Sequence, residues 1–227
     1  MSKVSRSAET LRRVKRIYTT EGPLSLARRV AAFAIGHVFV YQIYYNCASV
    51  NQNYQMLSEA ALKPRVGNFA LMVVSSNGEA DELESRGFEF RSYALNSRER
   101  LNRGAIAFCI FVDHELANIG WLATSQQATD ILREPPIKVE FSNGEAYSGD
   151  SWTHPKYRRM GLHSYNVFRR MEYDYQRGIR LSRYAVLVRN LAQQAANEKF
   201  GDMRFGKGRY LKILWWKWWK EKPLTQT

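Results

Sequence analysis

Cysteine is almost missing from this chain of 227 residues, which carries only Cys47 and Cys109. The N-terminus lacks the short apolar core and small-residue cleavage site of a signal peptide, so a reduced, cytoplasmic protein is expected. Long apolar runs are missing too. The best candidate, residues 30–45, is 16 residues long and contains His37 and Gln42, short of the roughly 20 that a bilayer span needs. That excludes a span and leaves contact with a membrane surface open. Histidine is scarce, four in all. His154 and His163 stand nine residues apart with no Cys or paired carboxylate at metal-ligand spacing, so they read as surface or loop residues and no metal is expected. There is no internal repeat and no low-complexity tract.

Positive charge is what the chain has in excess. The net charge is +13, and it is unevenly spread: residues 1–45 carry +6, 46–154 carry −5 and 155–227 carry +12. Two basic ends around an acidic middle point to anionic partners met at defined surfaces. Cofactor phosphates, an acidic carrier protein, anionic lipid and nucleic acid all qualify. The length suits one sizeable core plus an appendage.

The first 45 residues read as two helices, with Gly22 closing the first and Pro23 opening the second. Leu11, Val14, Ile17 and Tyr18 make an apolar stripe in the first, opposite Arg12, Arg13, Lys15 and Arg16. Residues 46–67 read as a connection. Strand candidates follow at 69–75, 88–93, 104–112, 116–123, 137–141 and 145–153, with short helices at 79–86 and 97–102. Asn143-Gly144 reads as a hairpin turn. A helix at 161–177, a strand at 184–188, a helix at 191–200 and strand material at 205–216 complete the pattern. This order predicts an α/β fold with a mixed, mostly antiparallel sheet flanked by helices. A basic helical extension is expected at 1–62 and the sheet domain at 63–227.

The most informative stretch runs from Ser151 to Ser164. A strand ends near Thr153, Pro155 stops it, a basic turn follows, and a helix starts near Gly161. Free backbone N–H groups at a helix start make an anion site. Gly161 lets the chain approach a phosphate, and Arg158 and Arg159 add charge. Here the sequence resembles the GNAT acyltransferase superfamily, whose pattern is matched at Pro155, Arg158 and Gly161. It departs from that pattern at His163, where a small residue is expected. Arg189-Asn190 at a strand end and Glu198-Lys199-Phe200-Gly201 at a helix end resemble a second family segment, with Asp202 in place of its usual Phe.

The resemblance implies an N-acyltransferase with acetyl-CoA or another acyl-CoA as donor and an amine as acceptor, by direct attack. An amino sugar or a lipid-linked amine would be a suitable acceptor. It further implies that Arg158, Arg159, Met160, Gly161, Leu162, His163 and Ser164 hold the CoA pyrophosphate. The backbone of Ser151, Trp152 and Thr153 would pair with the pantetheine arm, and Asn190 would contact CoA or cap the next helix. Glu145 matches the glutamate base of the histone-acetylating branch, its alternative being a solvated carboxylate beside a turn. The family's tyrosine acid falls at Asn197, which leaves Tyr184, Tyr165 or water for that role. Acyl-carrier protein is a further possible donor.

The C-terminal run Trp215-Trp216-Lys217-Trp218-Trp219-Lys220 has three readings. Its Trp side chains pack on the sheet, lie at a membrane interface, or stack on bases. No recognition motif supports nucleic acid. The rival to an enzyme is a non-catalytic module of the same fold that docks to an anionic membrane surface or an acidic partner.

Overall fold

The computed structural model describes residues 3–132 and 135–224. In chain order its elements are α1 (Lys3–Glu21), α2 (Pro23–Val38), β1 (Phe39–Val50), α3 (Glu59–Leu62), β2 (Phe69–Val74), α4 (Asn77–Ser85) and α5 (Ser97–Asn102). Then come β3 (Ile106–Val112), β4 (Glu115–Ala123), α6 (Gln126–Leu132), β5 (Glu145–Thr153) and α7 (Leu162–Gln176). The chain closes with β6 (Leu181–Leu187), α8 (Leu191–Glu198), β7 (Met203–Ile213) and β8 (Trp216–Pro223).

The eight strands form one sheet in the order β2-β3-β4-β5-β6-β1-β7-β8. Every neighbouring pair is antiparallel except β5 and β6. The mixed, mostly antiparallel sheet flanked by helices is therefore as expected. β3 and β4 are buried almost along their whole length, because both faces of the sheet are covered there. Phe90, Leu101, Trp121 and Ile137 fill one side. Ile110, Leu162, Phe168 and Met171 fill the other, which seats α7. A buried side chain such as Phe168 contributes about 2 kcal/mol to holding that helix down.

Four expectations need correction. The second helix ends at Val38, and residues 39–50 form β1, which lies between β6 and β7. Aromatic and β-branched residues crowd this stretch and favour a pleated surface over a helix. Residues 39–50, expected within the helical extension, thus belong to the sheet. Residues 88–93 and 137–141 are not strands; each leads into a single 3-10 turn. Asn143-Gly144 makes no hairpin: Gly144, with φ +72°, ends such a turn and feeds β5. The strand material expected at 205–216 is two strands, with Leu214 and Trp215 as the turn between them.

The helical pair at the N-terminus is as the Gly22-Pro23 junction predicts. α1 docks on the domain. Arg16 donates to the Ser92 carbonyl at 2.6 Å, Arg12 pairs with Glu84 at 2.5 Å, and Ile17 is buried.

Candidate active site

Between β5 and β6 the sheet comes apart. The two parallel strands pair at Glu145–Leu181, Ala146–Ser182 and Tyr147–Arg183, and nowhere beyond. Both continue, β5 to Thr153 and β6 to Leu187. On their far sides each is satisfied, β5 by β4 and β6 by β1. The facing edges of residues 148–153 and 184–187 are thus left without a strand partner. A bulge accompanies the parting: Ile119 faces Trp152 and Trp121 faces Gly149, so Asp150 and Ser151 oppose Gly120 alone. Such a bulge bends the strand that carries it.

Arg170 of α7 props this bulge from below. Its guanidinium is buried and donates to Ser148 Oγ at 2.6 Å, the Trp121 carbonyl at 3.3 Å and Ser151 Oγ at 3.4 Å. Burial lowers its pKa to about 10, so it remains a cation at neutral pH. The fit explains Gly120: a Cβ there would lie 2.8 Å from Asn166 Oδ1 and 3.0 Å from Arg170 Cζ.

The open half of β5 leads straight into the basic turn. Arg158 is extended and Arg159 has φ +64°; Gly161, at φ +87°, then starts α7. No side chain caps that helix, so the first-turn N–H groups of Leu162, His163 and Ser164 point out of an uncapped N-terminus. Leu162 is buried in the core and fixes the turn, while Arg158 and Arg159 are exposed beside it. Residues 62–65 flank the turn, with Arg65 N donating to the Met160 carbonyl at 2.8 Å and Arg65 Nη2 to the Arg159 carbonyl at 3.2 Å. A side chain at position 161 would be strained by the positive φ whatever the space.

Beneath the parting lies a polar cluster contributed by β1, β6, α7, α8 and the residues after α8. Tyr184, the first β6 residue past the last β5 pair, is buried and donates its hydroxyl to Asp202. Asp202 also accepts from Ser49 Oγ at 2.5 Å. Asn197 lies against both Tyr184 and His163. Burial, then the neighbouring Asp202 and Cys47, push the Tyr184 phenol well up, so it holds its proton. Burial raises Asp202 as well, against the hydrogen bonds from Ser49 and Tyr184. Burial and the charge of Arg170 bring His163 down to about 4, so this imidazole is neutral. His163 Nε2 and Asn197 Oδ1 are both buried, and the two side chains face each other beside the first turn of α7.

Of the two histidines expected at the surface or in loops, His154 lies in the loop after β5 and His163 is half-buried in the first turn of α7. His154 is buried; its Nδ1 accepts from Lys156 N at 3.2 Å and its Nε2 lies 3.6 Å from Glu115. Glu145 is displaced from the role expected of it. It lies at the closed end of β5, eight residues or roughly 26 Å of strand from Thr153. Its carboxylate is buried, paired with Arg183 at 2.6 Å and accepting from Glu140 N at 2.9 Å. Burial pushes its pKa up, but those two partners outweigh it and hold the group below the usual carboxylate range. A carboxylate so engaged is a poor base. Asn190 caps α8, its Oδ1 accepting from Gln193 N at 3.2 Å.

This sequence matches no protein-family model and no curated protein. Solved structures do match. The GCN5-related glucosamine N-acetyltransferase region of a fungal multi-domain GH3 β-N-acetylglucosaminidase aligns at TM-score 0.52 and 14% identity, covering 81% of this chain and 22% of that one. A tandem GNAT protein from the clavulanic acid biosynthesis pathway aligns at 0.47 and 16%, covering 86% and 58%. A putative GNAT-family acetyltransferase from Novosphingobium aromaticivorans aligns at 0.45 and 10%, covering 74% and 62%. The fold is that of the GNAT superfamily. The chain spans less than two thirds of the length of each of these three structures.

On this GNAT fold the structure gathers Ser151, Trp152 and Thr153, the Arg158–Ser164 turn and Tyr184 around one opening. It leaves Glu145 at the far end of β5 and Asn190 at a helix cap. Arg170, Asn197, Asp202 and Ser49 were not singled out from the sequence as site residues. One signal was available: His163, Asn166, Arg170 and Asp174 recur at three- and four-residue spacing, a polar stripe inside an otherwise apolar helix face. The contributions of Ser49 and Asp202 depend on long-range pairing and had no local signal.

Proposed function

We propose that this chain is an acyl-CoA-dependent N-acyltransferase that moves an acetyl or longer acyl group to a primary amine. The observation that carries this reading is the parting of β5 from β6, which leads directly to the uncapped N-terminus of α7. A diphosphate suits that end: three first-turn amides, the helix dipole and the exposed Arg158 and Arg159 all favour an anion there. The unpartnered edge of residues 148–153 suits the amide groups of a pantetheine arm, which would bond to it as an added strand. Bound acyl-CoA supplies an activated thioester.

The chain's own residues hold and exclude. Tyr184 keeps a proton beneath the parting, ready for a departing thiolate, and takes the part that Asn197 leaves unfilled. Arg170 keeps the bulge in shape by tying Ser148 and Ser151 to α7. Thermal unfolding with acetyl-CoA, longer acyl-CoAs and acyl-carrier protein would identify the donor, since a ligand of the folded state raises the midpoint. Thiol release in the presence of amino sugars and simple amines would then measure transfer. Stabilisation by an acyl-CoA with amine-dependent thiol release is expected; no stabilisation by any of the donors would refute the proposal.

A second reading has one observation in its favour. Glu145 is engaged with Arg183, so a carboxylate base is missing from the place where the histone-acetylating branch carries one. A chain that binds CoA without turning over any amine would fit that reading.

A further inference from the structure

The ribbon of β1, β7 and β8 has two unlike faces. On the inner one, Trp219 packs on Gly208 and sets its ring edge-on to Tyr44 at 6.4 Å, while Tyr210 is fully buried. The outer face is ordered in rungs by the strand register. Near the base, Lys207 faces Lys222 and Arg209 faces Lys220, with Ile43 of β1 alongside Arg209. Next come Tyr41, Leu211 and Trp218, and at the tip Phe39, Ile213 and Trp216.

Exposure follows the same rungs. Phe39, Tyr41 and Trp216 are about half exposed and Trp215, in the turn, is 86% exposed. Lys207, Arg209, Lys220 and Lys222 line a cavity of about 400 Å³ together with Ile43 and the chain at Pro223. The one acid of the β7–β8 hairpin, Glu221, is on the inner face, where it accepts from Asn46 Nδ2 at 2.7 Å. It therefore does not neutralise the four cations. The turn itself is unusual: Leu214 adopts φ +54° in a two-residue loop, where Asn or Gly is the ordinary choice. The chain accepts that strain and keeps Leu and Trp at the tip.

We propose that this outer face docks on an anionic phospholipid bilayer, with headgroup phosphates in the basic cavity and the Phe39–Ile213–Trp216 tip among the acyl chains. Charge and polarity are graded in the order a bilayer surface presents them: cations at phosphate level, then mixed aromatic and aliphatic rungs toward the tip. The Arg209–Lys220 rung is four residues, roughly 13 Å, from the tip and the Lys207–Lys222 rung six, roughly 20 Å, so the cations can stay at headgroup level while the tip enters the apolar layer. The α2 helix adds to the same end, since Leu214 N bonds to the Val38 carbonyl and Ile35 and Val38 are exposed. No described helix is long and apolar enough to cross a membrane, so the contact is peripheral.

The surface also has a direction. Tyr44 faces Leu187, the last residue of β6, so residues 39–43 of β1 project beyond β6 at the end where β5 and β6 part. A docked bilayer would lie at the mouth of that opening. If the acyl-transfer reading holds, an amine or acyl chain could then enter from the lipid surface. Docking itself does not rest on that reading.

The test is flotation of the full chain with phosphatidylcholine vesicles, with and without phosphatidylglycerol. The chain is expected to float with the anionic vesicles alone and to be released by salt. Lys207→Gln with Lys220→Gln should weaken binding roughly thirtyfold, and Trp215→Ser with Trp216→Ser should abolish it. Both pairs are exposed, and thermal unfolding checks that they fold. Tryptophan fluorescence of the unaltered chain gives a second measurement: a blue shift on anionic vesicles and quenching by brominated lipid are expected. Four results would overturn the proposal. They are no association with anionic vesicles, binding unaffected by either pair of substitutions, displacement by inorganic phosphate alone, and a dimer that the Trp substitutions convert to a monomer. Acetyl-CoA stabilisation, measured on the same samples, reports separately on the acyl-transfer site.

Discussion

The two halves of β5 belong to one strand and have opposite fates. From Glu145 to Tyr147 the strand is closed against β6, and its charged residue is neutralised by Arg183 on that neighbouring strand. From Ser148 to Thr153 it keeps one partner, bulges, and runs into a helix start that nothing caps. The closed half spends its polar groups within the protein. The open half keeps them for something else. A residue's type therefore says little about its role here; its position along the strand says more, as Glu145 shows.

The largest expected effect should come from breaking the closed half. Arg183→Met leaves the buried Glu145 carboxylate unpaired and should cost about 3 kcal/mol in urea unfolding, while acetyl-CoA affinity of the folded protein stays the same. Breaking the open half should do the reverse. Gly161→Val forces a β-branched residue to φ +87° and should weaken acetyl-CoA roughly thirtyfold by calorimetry, with a smaller loss of stability. Beneath the parting, Tyr184→Phe should lower kcat roughly tenfold and leave acetyl-CoA binding intact.

Acid should act through His163, whose folded pKa of about 4 lies below the ordinary imidazole value of 6.5. A depressed folded pKa contributes stability that is full above the unfolded value and is lost as pH falls toward the folded one. Stability should therefore drop by about 1 kcal/mol between pH 6.5 and 5.5, and His163→Asn should flatten that slope in unfolding curves. The smallest effect sharpens the comparison. Glu145→Gln should change turnover less than about twofold, because a hydrogen-bonded group of the same shape remains in a half that does no chemistry.

The open half was legible in the sequence and much of its setting was not. Strand β5, Pro155, Gly161 and α7 announce themselves locally, through a β-rich run, a breaker and an amphipathic period. The central strand β1 does not. Its partners are roughly 140 and 170 residues away in the chain, and such pairing leaves no local trace, so the apolar run from α2 into β1 reads as one continuous helix. Asn143-Gly144 signalled a turn correctly but could not say that the segment before it forms no strand. Trp and Lys alternation in β8 signalled two faces; only the register with β7 and β1 shows that the outer face grades from cations to aromatics.

Amide hydrogen exchange with and without acetyl-CoA tests the central claim most directly. Slower exchange confined to the first turn of α7, residues 148–164 and the facing edge of residues 184–187 is predicted. Unchanged exchange there, or protection only around Glu145 and the closed end of β5, would contradict it.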